Sequence, residues 1–503
     1  MMTRLLLFFL FVGSAVAAPV EIRNRYQKGG DRWLGSGGDP LATTSDITGA
    51  SWTVDRGEDG ARLRHEATGR WLTVEGGHPA VTDSRDQATS WTIQPAGDEW
   101  FRLRSGSQGV LNVESGTGVV ECASEAHDDW WSAMWRMVTI TGRQEVASPG
   151  NTSTIMFQLA DGRPEFSIRY GDEQIVSPSP MGFNLENAPP LTGPFRVKDS
   201  SRRVIDETWK TVFEQFPEYR NHANELTVDL EETGEHPRQL RIVFRAYDDG
   251  VAFRYEFPEQ RDLTDFRITD EVTCFHFTSN ATTWWVEDAE DSYERDWNET
   301  SLSQAGEEGL HTPVTLRTQK GCYASLHEAA LLDWSSMRLK RPAGPSDLAL
   351  KVELVPWIGS PVKVIAKAPC RSPWRTLQLA NRPGGLVESG LILNLNEPCA
   401  IADTSWIKPT KFMGIWWGMI TDVWTWDRSD PNKHGATTER AKRYIDACAR
   451  QGIGSVLVEG WCEGWEGGIP GWRKQNFTKP YPDFDIREIC RYGKAGILRK
   501  ILV

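Results

Sequence analysis

The sequence predicts a multidomain chain. An all-β N-terminal part, built from a β-trefoil-like module and a large β-sandwich, is followed by an incomplete α/β (TIM) barrel. Three observations carry this. Residues 19 to about 140 repeat with a period of about 40. From there to about residue 400 the chain reads as short β-rich runs split by turns. After Lys411, apolar strand-like runs alternate with helical spacing.

The first element is an export signal. One positive charge in Met1 to Arg4 precedes the apolar run Leu5 to Val12 and then Ala15-Val16-Ala17, an A-x-A cleavage pattern. Residues 1–17 are therefore expected to be removed, and the mature chain to be secreted or periplasmic. The run is too short to span roughly 30 Å of hydrocarbon, and no later segment is long and apolar enough for a membrane span.

The module is expected over 18–145. Ile22-Arg23, Leu63-Arg64 and Leu103-Arg104 recur. Trp33-Leu34, Trp71-Leu72 and Val110-Leu111 follow them, and Trp52, Trp91 and Trp135 close each unit. One such unit cannot bury its apolar face alone, whereas three close a shared core. The repeated Trp is read as core in preference to sugar platforms. A linker is expected around Thr141 to Asn151. The sandwich follows over 148–405, with Ile242-Val243-Phe244, Val251-Ala252-Phe253 and Lys351 to Val355 as strands and Asp248-Asp249-Gly250 as a turn.

The barrel is expected from 406 to 503. Phe412 to Trp417 reads as a strand, and Thr438 to Arg450 as a helix capped by Thr437 or Thr438 and ended by Gly452. Gly454 to Glu459 is a buried strand ending on a carboxylate, and Asp483 to Gly493 a second helix.

Composition narrows the partners. A net charge of −13 with no basic stripe argues against nucleic acid. The 23 Trp in an acidic, exported chain point towards carbohydrate. The eight Cys are scattered without zinc spacing, and isolated thiols are the preferred reading over disulfides.

Glu459 is the sharpest candidate, because catalytic groups stand where barrel strands end. It lies in the run Glu459-Gly460-Trp461-Cys462-Glu463-Gly464-Trp465-Glu466. Carboxylates interleaved with aromatic faces suit acid/base work on a sugar; a solvated acidic loop is the alternative. Glu439 is the second candidate catalytic carboxylate, or else a helix N-terminal carboxylate favoured by the dipole. Trp416, Trp417 and Trp461 are candidate substrate-binding aromatics.

Several runs together resemble glycoside hydrolase family 97. They are Lys411 to Met419, His434-Gly435-Ala436-Thr437-Thr438-Glu439, Val456 to Trp465, and Thr478-Lys479-Pro480-Tyr481-Pro482-Asp483-Phe484-Asp485. Upstream, Thr208-Trp209, Arg220-Asn221, Phe244 to Tyr255 and Leu326 to Leu331 agree. The resemblance covers roughly 148 to 495; the module lies outside it and is similar to the ricin-type lectin family.

The resemblance implies an exo-acting α-glucosidase or α-galactosidase acting on oligosaccharides. It also implies calcium near the active site, held by glutamates of the sandwich and the barrel. Glu328, in His327-Glu328-Ala329, is the best match to the sandwich ligand, since a hard divalent ion takes carboxylate oxygens. Beyond Ala495 the family continues into a His-His-Glu segment, whereas this chain reads Gly496 to Val503. The barrel is therefore expected to fail after its second βα unit, and this polypeptide alone to hydrolyse little. A carbohydrate-binding, lectin-like protein with a vestigial barrel is the alternative function, and a non-functional fragment the third. Oligomeric state, and glucose against galactose, are not legible.

Overall fold

A computed structural model describes residues 19–502 apart from 26–32, 36–42, 45–49, 98, 107, 115–118, 128, 289–293, 307, 343–347, 426–429, 431, 466–474 and 496–499. The expected export signal, residues 1–17, lies outside the described residues. The chain is mostly β and divides into two compact units. One runs to Trp209 and resumes over Glu218–Pro398; the other comprises Lys210–Pro217 and the chain from Cys399 onward. Among the described residues, no helix is long and apolar enough to cross a membrane.

The repeat closes a ring. Val20–Asn24 pairs with Ser51–Gly57, which pairs with Gly60–His65. Gly60–His65 meets Trp91–Pro95, which pairs with Phe101–Ser105. Phe101–Ser105 meets Trp135–Ala147, which returns to Val20–Asn24. A ring of antiparallel strands has no free edge. Trp52 stands opposite Val20, Trp91 opposite Ala61 and Trp135 opposite Phe101, so each repeat contributes one equivalent corner.

The three indoles are fully buried with Ile22, Leu34, Leu63, Leu72, Leu103 and Leu111 in one cluster. The repeated Trp are core, as their spacing indicated. Trp52 Nε1 donates to the Leu34 carbonyl and Trp135 Nε1 to that of Leu111, both at 2.9 Å. Trp91 Nε1 has no partner among the described residues.

The expected linker at Thr141 to Asn151 is mostly strand. Trp135–Ala147 leaves the ring and pairs with Ser153–Ala160, its register shifting between Thr141 and Gln144. The glycine there marks a bulge, not a loop. Gly142 has φ +61°, and a Cβ on it would lie 2.6 Å from Val197 Cγ2. A buried ion network joins the two parts. Arg23 donates to Glu21 and Glu165, Arg143 to Glu21 and Gln158, and Gln158 to Glu165. Burial alone would raise the Glu165 carboxyl, but the charge and hydrogen bonds of Arg23, with Gln158, hold it below the ordinary range.

Two sheets then face each other. One contains Ser153–Ala160, Arg163–Tyr170 and Glu173–Pro180. The other is ten-stranded and contains Glu218–Glu232, Gln239–Tyr247, Gly250–Phe257, Trp374–Ala380 and Tyr323–Ala329. Phe157 packs on Phe244 at 5.9 Å and Phe166 on Phe253 at 4.7 Å, ring centre to ring centre, filling the space between the sheets. This is the expected β-sandwich.

The second unit carries a three-stranded parallel sheet, Phe412–Gly414, Ser455–Leu457 and Lys500–Leu502, in sequential order. Helices Thr438–Gln451 and Ile486–Ala495 connect the strands. After these two βα units a third strand follows, pairing Val456 with Ile501. None of the eight cysteines forms a disulfide among the described residues.

Candidate functional site

The C-terminal ends of Phe412–Gly414 and Ser455–Leu457 lie side by side, and the loops that follow both gather at that edge. Such an edge is where parallel α/β sheets place their sites. Ser455–Leu457 is buried at Val456, and Val458 beyond it is buried too. The chain therefore emerges from the core at Glu459, which is half-buried. Among the described residues, Glu459 has no side-chain hydrogen bond or ion pair. Gly460 turns the chain with φ +71°. Trp461 is half-buried, its ring 5.9 Å from Phe484, and its carbonyl accepts the Tyr481 N–H at 2.9 Å. Glu463 pairs with Lys479 at 2.9 Å. Glu466 lies outside the described residues.

The strand expected through Trp417 ends at Gly414. Ile415 is already helical, and Trp416–Ile420 forms a short helix. Strand alternation therefore does not apply to the two indoles. Trp416 packs on the unit's core beside Ile415 and Met419, while Trp417 is 71% exposed. The physical reason lies at Gly418. A Cβ there would sit 2.0 Å from Trp424 Cδ1, so the glycine admits the Trp424 ring against the helix.

The first helix is capped as expected. Thr437 accepts from Arg440 N at 3.2 Å, and Gly452 ends the helix with φ +64°. Glu439 lies in the first turn with its side chain 80% exposed, 3.7 Å from Lys442. The geometry accords with the dipole-favoured carboxylate, and no hydrogen bond or ion pair joins Glu439 to Glu459. Arg440 is the anchored residue of that turn. It donates to the carbonyls of His434 and Asn432, and its guanidinium lies over the Trp424 ring.

Two groups that carried no role in the sequence reading knit the edge together. His434 is fully buried, with Nδ1 3.0 Å from Asp483 Oδ2, and its ring meets Tyr481 edge-on at 5.0 Å. The Asp483 carbonyl accepts both N–H and O–H of Thr438. Tyr481 in turn holds Trp461. The first loop is thus fixed to the loop that carries Glu459, and His434 Nε2 is buried without a partner among the described residues. The signal was present in sequence only as a His and an Asp within separate resembling runs.

Glu328 belongs to the other unit. It lies on Tyr323–Ala329, directly opposite Arg375. Its Oε2 accepts from Arg375 Nη1 at 2.7 Å and its Oε1 from Met337 N–H at 2.8 Å. Glu271 grips the other side of Arg375 at 3.0 and 2.6 Å. Both Glu328 oxygens are engaged and a fully buried guanidinium adjoins them, so Glu328 as placed does not fit a divalent cation. No cluster of three or more His, Cys, Asp or Glu able to hold a metal ion occurs among the described residues.

Comparisons with known proteins follow this division. The profile of the Glycosyl-hydrolase 97 N-terminal family matches residues 146–398, and that of Glycoside hydrolase 97 matches residues 416–501. A retaining alpha-galactosidase of Bacteroides thetaiotaomicron is 25% identical over 377 residues, 70% of this chain and 54% of that protein. A glycoside hydrolase family 97 enzyme from Pseudoalteromonas sp. strain K8, solved in complex with acarbose, is 34% identical with a TM-score of 0.64. That match covers 71% of this chain and 53% of that one. A variant from the same source was solved with panose. The chain spans about half the length of these relatives. With both profiles in order along one chain, the protein belongs to glycoside hydrolase family 97.

Proposed function

We propose that the chain is an exported α-glycosidase that hydrolyses terminal α-glycosidic bonds of oligosaccharides. The observation that carries this reading is Glu459. It is a half-buried carboxylate with no ion partner among the described residues, at the C-terminal end of the middle parallel strand and two residues from Trp461. Glycoside hydrolysis needs two carboxylates, one to protonate the leaving oxygen and one to activate water or attack carbon. We assign Glu459 to one of these tasks and Trp461 to the loop that positions it. The alpha-galactosidase relative and the acarbose and panose complexes support an α-linked glucose or galactose substrate.

The parallel strands with crossover helices are read as the start of a (β/α)8 barrel, and the closed N-terminal ring as a β-trefoil. The charged and apolar pattern of residues 1–17 supports export. Calcium enters through the family resemblance. Because Glu328 does not fit it, no step is assigned to the ion.

The test is release of p-nitrophenol from α-glucoside and α-galactoside by the purified chain, with and without added calcium. Glu459→Gln should lower kcat by about a hundredfold or more, the scale of a lost proton-transfer group. Unchanged kcat in Glu459→Gln would remove Glu459 from the mechanism.

A further inference from the structure

We propose that Trp374, Thr376 and His327 bind a chloride ion on the outer face of the ten-stranded sheet. The inference goes beyond the glycosidase reading and uses neither Glu459 nor the parallel sheet.

Strand register fixes the place. Tyr323–Ala329 pairs with Trp374–Ala380 so that Glu328 stands opposite Arg375 and His327 opposite Thr376. Side chains alternate between the faces of a sheet. Leu326, Glu328, Arg375 and Leu377 therefore share the inner face, where Leu326 and Leu377 join the sandwich core. Trp374, Thr376 and His327 share the outer one. There a single row runs His327, Thr376, Ala252, Arg245 across four strands.

The face is roofed. Helices Pro383–Glu388 and Leu391–Asn394 follow Trp374–Ala380 in the chain, and Leu391 and Leu395 cluster with Trp374, Ala252 and Ala329. Trp374 and Thr376 are fully buried, and His327 is half-buried.

Under this roof, Trp374 Nε1, Thr376 Oγ1 and His327 Nδ1 are buried without a hydrogen-bond partner among the described residues. Burying polar groups unpaired is costly, and each such group calls for an explanation. Three of them at neighbouring positions of one face point to a shared partner. All three can donate: the indole N–H, the hydroxyl, and the imidazole in its Nδ1–H form. The partner they call for is an acceptor.

Arginine supplies the sign. The Arg245 and Arg254 guanidiniums lie 4.6 and 4.5 Å from the Trp374 ring centre. Ala252 stands between Thr376 and Arg245 with only a methyl group, which lets Arg245 lean across to the indole. Arg245 shares Glu225 with Arg203, and Arg254 pairs with Glu256. Arg371 pairs with Glu397 and Arg241 with Asp229. Glu328, next to His327 in sequence, is held by Arg375 on the other face. Burial above all, then Arg371 and Arg245, draw Arg254 below its ordinary value although Glu256 pushes back. Two close guanidiniums repel a metal cation. A water would meet the same donors but gains no net attraction from those charges, whereas a halide does. With Trp374 and Thr376 fully buried, the occupant is one compact ion and not a sugar or a phosphate.

The test is thermal unfolding of the full chain, followed by near-UV circular dichroism, as sodium chloride replaces sodium gluconate at constant ionic strength. Tm should rise saturably by a few degrees, as for any ligand that binds only the folded state, and bromide should substitute. Thr376→Val keeps the shape of the side chain and removes its hydroxyl. It should lose about tenfold or more in chloride affinity, the scale of one hydrogen bond to a charged partner. In gluconate it should be no less stable than the wild type. Trp374→Phe is the second variant, and should also bind chloride more weakly. Broadening of the chloride NMR line by the folded wild-type chain, reversed by bromide, reads the ion without unfolding. Three outcomes overturn the proposal. They are the absence of both the Tm rise and the broadening, which leaves water as the partner, a rise that never saturates, which is screening, and unchanged chloride affinity in the variants. Release of p-nitrophenol bears on Glu459 alone, so either reading can fail without the other.

Discussion

Replacing Glu328 by glutamine separates two meanings of that carboxylate. As placed, Glu328 gives one oxygen to Arg375 and the other to the Met337 N–H, while Glu271 keeps its own two contacts to the guanidinium. Glutamine can retain the Met337 contact but turns an NH2 towards Arg375, losing one charged hydrogen bond worth about 1.5–3 kcal/mol. Breaking a buried pair outright costs about 3–5 kcal/mol. Here Glu271 stays, so the lower figure applies, about 2 kcal/mol. Alanine also orphans the Met337 N–H and should cost about 4 kcal/mol. At roughly 2–4 °C per kcal/mol for a domain of this size, Glu328→Gln lowers Tm by about 4–8 °C and Glu328→Ala by about twice that. The assay is thermal unfolding followed by near-UV circular dichroism, in calcium and in EDTA. The decrement should be the same in both. The reasoning fails if EDTA alone brings the wild-type protein down to the variant's Tm while leaving the variant unmoved, because Glu328 would then act through a cation.

Other outcomes follow from the same geometry. The folded Glu165 carboxyl is held below its ordinary 4.5. Its stabilising contribution is therefore complete above that pH and lost as pH falls from there through the lower folded value; Tm against pH should drop below about 4.5, less steeply in Glu165→Gln. Trp52→Phe orphans the Leu34 carbonyl whereas Trp91→Phe removes an unpartnered N–H, so the first should cost about 1 kcal/mol more in denaturant unfolding. Thr437→Ala removes a formed cap and should destabilise the second unit by about 1 kcal/mol, read by hydrogen exchange in Thr438–Gln451.

The legible parts of the fold were those set by local period. Trp52, Trp91 and Trp135 recur because each must fill an equivalent corner, and a corner repeats in sequence as it does in space. The cap and stop of Thr438–Gln451 are likewise local chemistry, readable from Thr437 and Gly452. What stayed hidden depends on distant partners. Gly142 reads as a linker residue until Val197 is seen against it. Trp416 and Trp417 read as strand until Trp424 occupies the space over Gly418. Glu328 reads as a free ligand because Arg375 comes 47 residues later, opposite it only after two strands pair. At the candidate site, Glu459 was legible as a carboxylate closing a buried strand. The His434–Asp483 tie was not, since neither residue shows in sequence which loop it will fasten.

The strand Trp135–Ala147 has a mechanical consequence. A flexible tether would give the N-terminal ring a cloud of positions around the sandwich, with a local concentration that fades gradually with length. A strand hydrogen-bonded on both sides of the boundary, backed by the buried ions of Arg23 and Glu165, behaves instead as a stiff bracket. A partner held by the ring is carried at a fixed bearing from the sandwich. Lengthening the bracket, for instance by inserting glycines at Gly142, would exchange that single reach for a spread of them.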